Sequence, residues 1–172
     1  MRVKPALALA TAALSLALSA CGTETTYMID YPYYATAQDL YSAATTVVVG
    51  TVQQSSAKMI DTSIPPGPAA PMAYTVHQVV VASAIKGDAQ TGRNIEVGEA
   101  GGRVGGHMYR SSSGILMSKG NTYLMFLSCQ YDPCYLMSPV ASVYQVAADG
   151  TLKAMDGNSL TVADVAAVTG LG

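Results

Sequence analysis

The chain has no tryptophan, one phenylalanine, two histidines and three cysteines, and only 12% of its 172 residues are charged. Each scarcity removes a class of function. Nucleic-acid binding needs clustered Lys and Arg to neutralise phosphates, yet Lys58, Lys86, Arg93, Arg103, Arg110, Lys119 and Lys153 stand singly. Taking Arg2 and Lys4 from the 9 basic residues leaves 7 against 11 acidic ones, a net of −4. No nucleic-acid partner is expected. His77 and His107 lack the paired spacing of a metal motif, and no metal is expected. The glycines at 98, 101, 102, 105 and 106 match neither the dinucleotide fingerprint nor a Gly-Lys-Ser/Thr phosphate loop, so no cofactor is expected. The serines at 111–113 lack a nucleophile-elbow frame, and no carboxylate pair suits glycoside hydrolysis. No catalytic residue is assigned. Finally, no apolar run reaches the about twenty residues of a transmembrane helix.

What is present starts at the N-terminus. Arg2 and Lys4 precede the uncharged run Ala6 to Leu18, and the small residues Ser19 and Ala20 precede Cys21 and Gly22. That is the pattern of an export signal. An ordinary signal-peptidase site wants a small residue where Leu18 stands. Leu18-Ser19-Ala20-Cys21 instead resembles the lipobox of bacterial lipoproteins. The resemblance implies that residues 1–20 are a signal peptide, that the Cys21 thiol takes a diacylglyceryl group, and that cleavage leaves an acylated Cys21. Two or three acyl chains anchor a protein stably, whereas one holds it only marginally. The expected partners are therefore the membrane, through lipid on Cys21, and an envelope protein. The expected location is the extracytoplasmic side of the cell envelope, at the outer membrane in a two-membrane cell, since Gly22 replaces the Asp that signals retention.

Residues 21–35 contain Pro32 and four tyrosines without helical or strand period, and read as a spacer or tether. Residues 36–172 read as one domain, long enough to bury a core without a metal. Thr36 and Asp39 form a capping pattern for a short helix. Thr45 to Val52 is dense in β-branched residues and predicts a strand, with a bulge or bend at Gly50. Ile64 to Pro71 holds four prolines and reads as an exposed loop. Tyr74 to Ile85 predicts a strand apolar on both faces, Asn94 to Val97 a shorter one, and Gly98 to Gly106 a flexible loop. Thr122 to Leu127 predicts another strand. Asp149-Gly150 predicts a hairpin between Val140–Val146 and Thr151–Lys153. Thr161 and Asp164 open a last helix with Gly170 as its C-cap. About six strands with turn signals between them predict a mainly β fold, a small antiparallel barrel with a short helix at either end.

The order of these elements carries a family likeness. A helix ends at Ala43-Ala44, Val47-Val-Val-Gly-Thr-Val52 follows, and a long strand ends in Lys86-Gly-Asp88. Ile95-Glu-Val97 and Lys119-Gly-Asn-Thr-Tyr-Leu-Met-Phe-Leu127 come next. Over Ala43 to Leu127 this resembles the netrin-like, tissue-inhibitor-of-metalloproteinase modules, which are OB-fold barrels. The resemblance implies the fold but not the inhibitory mechanism, which uses a free N-terminal cysteine amine on the protease zinc. Here Cys21 is expected to be lipidated, and the family's several disulfides are missing.

Cys129 and Cys134 are expected to form a local disulfide across a turn, as exported thiols tend to oxidise. His77 alternates with apolar residues and reads as a strand histidine with a satisfied hydrogen bond. Arg103, His107 and Arg110 flank the glycine-rich stretch and are the candidate ligand-loop residues, since binding groups favour loops on rigid scaffolds. Met117, Met125 and Met137 are expected to pack the core. The expected function is a membrane-anchored, non-enzymatic binding or interaction module. The alternatives are an inhibitor of an extracellular protease, acting through the loop 64–71, and a small hydrolase. The anchor has a direct test. Metabolic labelling with a fatty acid should mark the wild-type protein and disappear in Cys21→Ser, whose precursor stays uncleaved; label retained by that variant contradicts the assignment.

Overall fold

The computed structural model describes residues 23–63, 67–114 and 116–171, so the leader and Cys21 lie outside the described residues. The fold is mainly β, with two short helices. In chain order the elements are β1 (Glu24–Tyr27), α1 (Ala37–Ala43), β2 (Thr46–Asp61), β3 (Pro71–Lys86), β4 (Asn94–Ala100), β5 (Gly102–Val104) and β6 (His107–Ser111). Then come β7 (Thr122–Ser128), β8 (Cys134–Leu136), β9 (Val143–Val146), β10 (Leu152–Ala154) and α2 (Val162–Thr169). Seven strands form one sheet in the order β10-β9-β7-β2-β3-β4-β8, and β8 also pairs with β7. The β4–β8 contact is parallel, whereas β2–β3, β3–β4, β2–β7 and β7–β8 are antiparallel. A second sheet has the order β1-β6-β5.

The alternation of β7 shows how one sheet serves two cores. Leu124 and Phe126 face α1 and α2, packing with Leu40, Val47, Val49, Tyr144 and Val165. Tyr123, Met125 and Leu127 face the other way, onto Val48, Val52, Val79, Val81 and Val97. Each such side chain removed from water contributes roughly 1.5–3 kcal/mol. Met117 and Met125 are buried, and Met137 packs at the edge of the helical core. β3 differs from the expectation of burial on both faces: Gln78 and Ala82 to Ala84 are exposed, because the helical core lies mainly over β2, β7 and β9 and reaches β3 at Ile85.

The local signals match the elements they mark. Thr36 caps α1, its hydroxyl accepting from Asp39 N at 3.1 Å; Thr161 caps α2 in the same way from Asp164 N at 3.2 Å. Gly170 closes α2 in the left-handed conformation. The β2–β3 ladder slips between Val49 and Gly50, where a Cβ on Gly50 would stand 2.4 Å from Val79 Cγ1. Asp149-Gly150 turns β9 into β10, with Val146 opposite Leu152.

Two segments differ from the sequence reading. Within the spacer, Glu24–Tyr27 forms β1, paired in parallel with β6. Tyr27 stacks on Tyr109, with ring centroids 5.7 Å apart, and its hydroxyl accepts from Ala73 N at 3.1 Å. Thus α1 is preceded by a strand. The glycine-rich stretch read as a flexible loop is mostly strand: it completes β4, forms β5 and turns into β6 at Gly105-Gly106. Gly102 has φ 130°, and a Cβ there would meet Thr75 Oγ1 at 2.5 Å, so glycine is what lets β5 lie against the long hairpin. Of the loop read over 64–71, residues 67–70 are exposed, Pro71 opens β3, and 64–66 lie outside the described residues.

Candidate functional site

The three candidate loop residues are placed on the β5–β6 hairpin but are not brought together. Arg103 pairs with Met108, so Arg103 and Arg110 share one face and His107 lies on the other. All three have partners within the chain. Arg110 Nε meets Glu24 Oε1 at 2.7 Å, and Arg103 Nη1 donates to Gly106 O at 2.9 Å. His107 sits between two hydroxyls, Thr23 Oγ1 at 2.5 Å from Nδ1 and Thr25 Oγ1 at 2.8 Å from Nε2. Arg110 and His107 hold β1 in place and Arg103 braces the hairpin's own turn, which explains their presence without a ligand.

A different set of residues converges inside the fold. Ser55 on β2 lies opposite His77 on β3, and Val97 on β4 lies opposite His77 on the other side. Glu99, two residues beyond Val97, therefore projects to the same face. Ser55 Oγ is 2.7 Å from His77 Nδ1, and His77 Nε2 is 2.7 Å from Glu99 Oε2. With the imidazole proton on Nε2 toward the carboxylate, Nδ1 accepts from the Ser55 hydroxyl. Glu99 Oε2 lies off the axis of that Nε2–H, so this is a close polar contact rather than an in-line hydrogen bond.

His77 is 0% exposed and Glu99 4%. An unpaired carboxylate at that depth would cost several kcal/mol. Two backbone donors offset this: Leu116 N to Oε1 at 3.0 Å and Met117 N to Oε2 at 3.1 Å. Hydrogen bonds to a charged group contribute about 1.5–3 kcal/mol each, so the amides and the imidazole together balance the burial. The sequence reading of His77 as a hydrogen-bonded strand histidine agrees with its place here. The roles of Glu99 and Ser55 were missed.

Glu99 also borders a small, partly enclosed cleft of about 90 Å³, walled by Tyr31, Tyr74 and Tyr135 together with Ser113 and Pro139. Tyr74 and Tyr135 meet edge to face, their centroids 5.2 Å apart at 66°. Burial raises all three phenols. It pushes Tyr74 up to about 12, with the neighbouring tyrosines adding to the rise. Tyr31 is raised by burial and further by the Glu99 charge, against a hydrogen bond with Ser113 that lowers it. Tyr135 is raised by burial and then by Asp132. A shallower groove of about 700 Å³ runs along β3 and β4 beside the turn 129–134, with Gln78, Asn94, Glu96 and the exposed Tyr131 in its lining. Cys129 and Cys134 are joined by a disulfide at the foot of that turn.

Among the described residues, no group of three or more His, Cys, Asp or Glu side chains is placed to hold a metal, and no helix is long and apolar enough to cross a membrane. Comparison with family models, with curated proteins and with solved structures finds no match.

The tyrosine cleft sets an alkaline titration. The folded pKa of Tyr74 is raised, so its contribution to stability is complete below the ordinary value of 10.0 and is lost as pH rises toward 12. In a spectrophotometric titration of the folded protein, Tyr74 and Tyr144 should ionise near 12. Tyr74→Phe should remove one late-titrating phenol. Complete ionisation near pH 10 contradicts the packing described.

Proposed function

We propose that the chain is a lipid-anchored extracytoplasmic binding module, built on a closed OB-like barrel, that takes a small ligand in the tyrosine-lined cleft without transforming it. The barrel reading is supported by the ring of pairings β2-β3-β4-β8-β7-β2. Its three-strand meander and the return of β8 between β4 and β7 are the Greek-key arrangement of that fold. The anchor reading rests on Leu18-Ser19-Ala20-Cys21 and its resemblance to a lipobox. An envelope location follows from the anchor.

One observation carries the choice of binding over catalysis. The cleft offers a carboxylate, phenol rings and a serine hydroxyl, but neither Ser55 nor His77 is in its lining. The imidazole that would act as a base is sealed in the core, and the exposed hydroxyl it holds belongs to the outer hairpin. Ligand and proton-transfer machinery do not meet.

The second reading is a small hydrolase, favoured by the Ser55–His77–Glu99 line itself, since a hydroxyl, an imidazole and a carboxylate in sequence are the parts of a nucleophilic triad. Assays of the purified lipidated protein against ester, amide and glycoside substrates separate the two. The binding reading expects no turnover that depends on Ser55. Turnover abolished by Ser55→Ala and by His77→Gln makes the protein a hydrolase.

A further inference from the structure

We propose that the cleft beside Glu99 is a site for an alkylammonium group, the positively charged head of a methylated amine; the inference rests on the binding reading above. Three features of the lining point to that chemistry. Among the described residues that line it, Glu99 alone is formally charged, and no Lys or Arg is present. The carboxylate cannot swing away to pair with solvent cations, because the Leu116 and Met117 amides clamp both oxygens and His77 stands behind it. The walls are phenol rings, whose negative faces attract a cation, most strongly when the site is desolvated.

Shape and size agree with this. Tyr74 and Tyr135 form a corner rather than a stack, and Tyr31 stands as the third wall. A cavity of about 90 Å³ holds roughly three waters' share of liquid volume, on the scale of one tetrahedral trimethylammonium head. An inorganic cation would require several oxygen ligands, and this lining offers rings where those ligands would be. An anion would meet a fixed negative charge. A neutral apolar group would fit the rings but gain nothing from Glu99. A methylated ammonium ion uses both, keeping its diffuse charge against the rings without demanding directed hydrogen bonds.

The same head group reaches a membrane-anchored protein from two sources, a dissolved amine or a lipid headgroup, and both present the same chemistry to the cleft.

The test is calorimetric titration of the full-length lipidated protein, in non-ionic detergent, with choline chloride and with its uncharged isostere, in which carbon replaces the quaternary nitrogen. Choline should bind saturably, and the isostere about tenfold or more weakly, the loss expected for one desolvated cation–π contact. Tyr135→Leu should weaken choline about tenfold, whereas Tyr135→Phe, which keeps the ring, should stay within about twofold. Tyr135 is only half-buried, so both variants leave the core in place. Repeating the titration in phosphatidylglycerol vesicles, with and without phosphatidylcholine, assigns the source. Competition by phosphatidylcholine supports a lipid headgroup, and unchanged affinity supports a dissolved amine. Absent choline binding, or equal affinity for the isostere, overturns the ammonium assignment and leaves the binding module standing; Ser55-dependent turnover would remove the module reading instead.

Discussion

The carboxylate of Glu99 is the fixed point on which the interior depends. It ties the β3–β4 pair, through its own strand and the imidazole of His77, to the amides of the segment leading into β7, which no ladder joins to either strand. A buried charge of this kind is stable only while its partners stay in place, because losing one leaves several kcal/mol of desolvation uncompensated. The segment 116–117 is thereby held against β4, Met117 enters the core, and the mouth of the cleft takes its shape from the adjoining turn. The same atom that braces the fold gives the cleft its charge.

Around that brace the two cores divide the work. The helical core fixes the β2–β7–β9 face, while the inner core joins β2, β3, β4, β7 and β8. The long β2–β3 hairpin extends beyond both and is met by the small sheet β1-β6-β5. Its tip is braced by Asp61, whose carboxylate accepts from Ser63 N and Ala70 N and is held below the ordinary carboxylate value by those bonds. N-terminal residues immediately after the described limit thus lie against the domain. If Cys21 carries lipid, the domain sits near the headgroups, with β1 as its nearest strand.

Local signals made much of this fold legible. Thr36 with Asp39, Thr161 with Asp164, and Asp149-Gly150 each satisfy backbone groups within a few residues, so their meaning is contained in the sequence window. The run Thr122 to Leu127 was readable because both of its faces are buried. β1 was not, since Glu24-Thr-Thr-Tyr27 is polar and its partner lies more than eighty residues away in parallel register. Glycine has low strand propensity, which hid β4's last turn of ladder, β5 and the start of β6. That omission also concealed the site. Extending the alternation Ile95–Val97 by one step puts Glu99 on the inward face, where a carboxylate needs a partner and His77 is the nearest candidate. Ser55 carried no such signal, because its place opposite His77 depends on the slips in the β2–β3 register.

Amide hydrogen exchange reads the clamp that Glu99 places on the 116–117 segment. In the native protein the Leu116 and Met117 amides should be protected to the level of the β7 ladder, and Glu99→Gln should lower their protection while Val48 and Phe126 change little. Exchange of both amides at the rate of an open loop in the native protein would mean that Glu99 does not hold the segment.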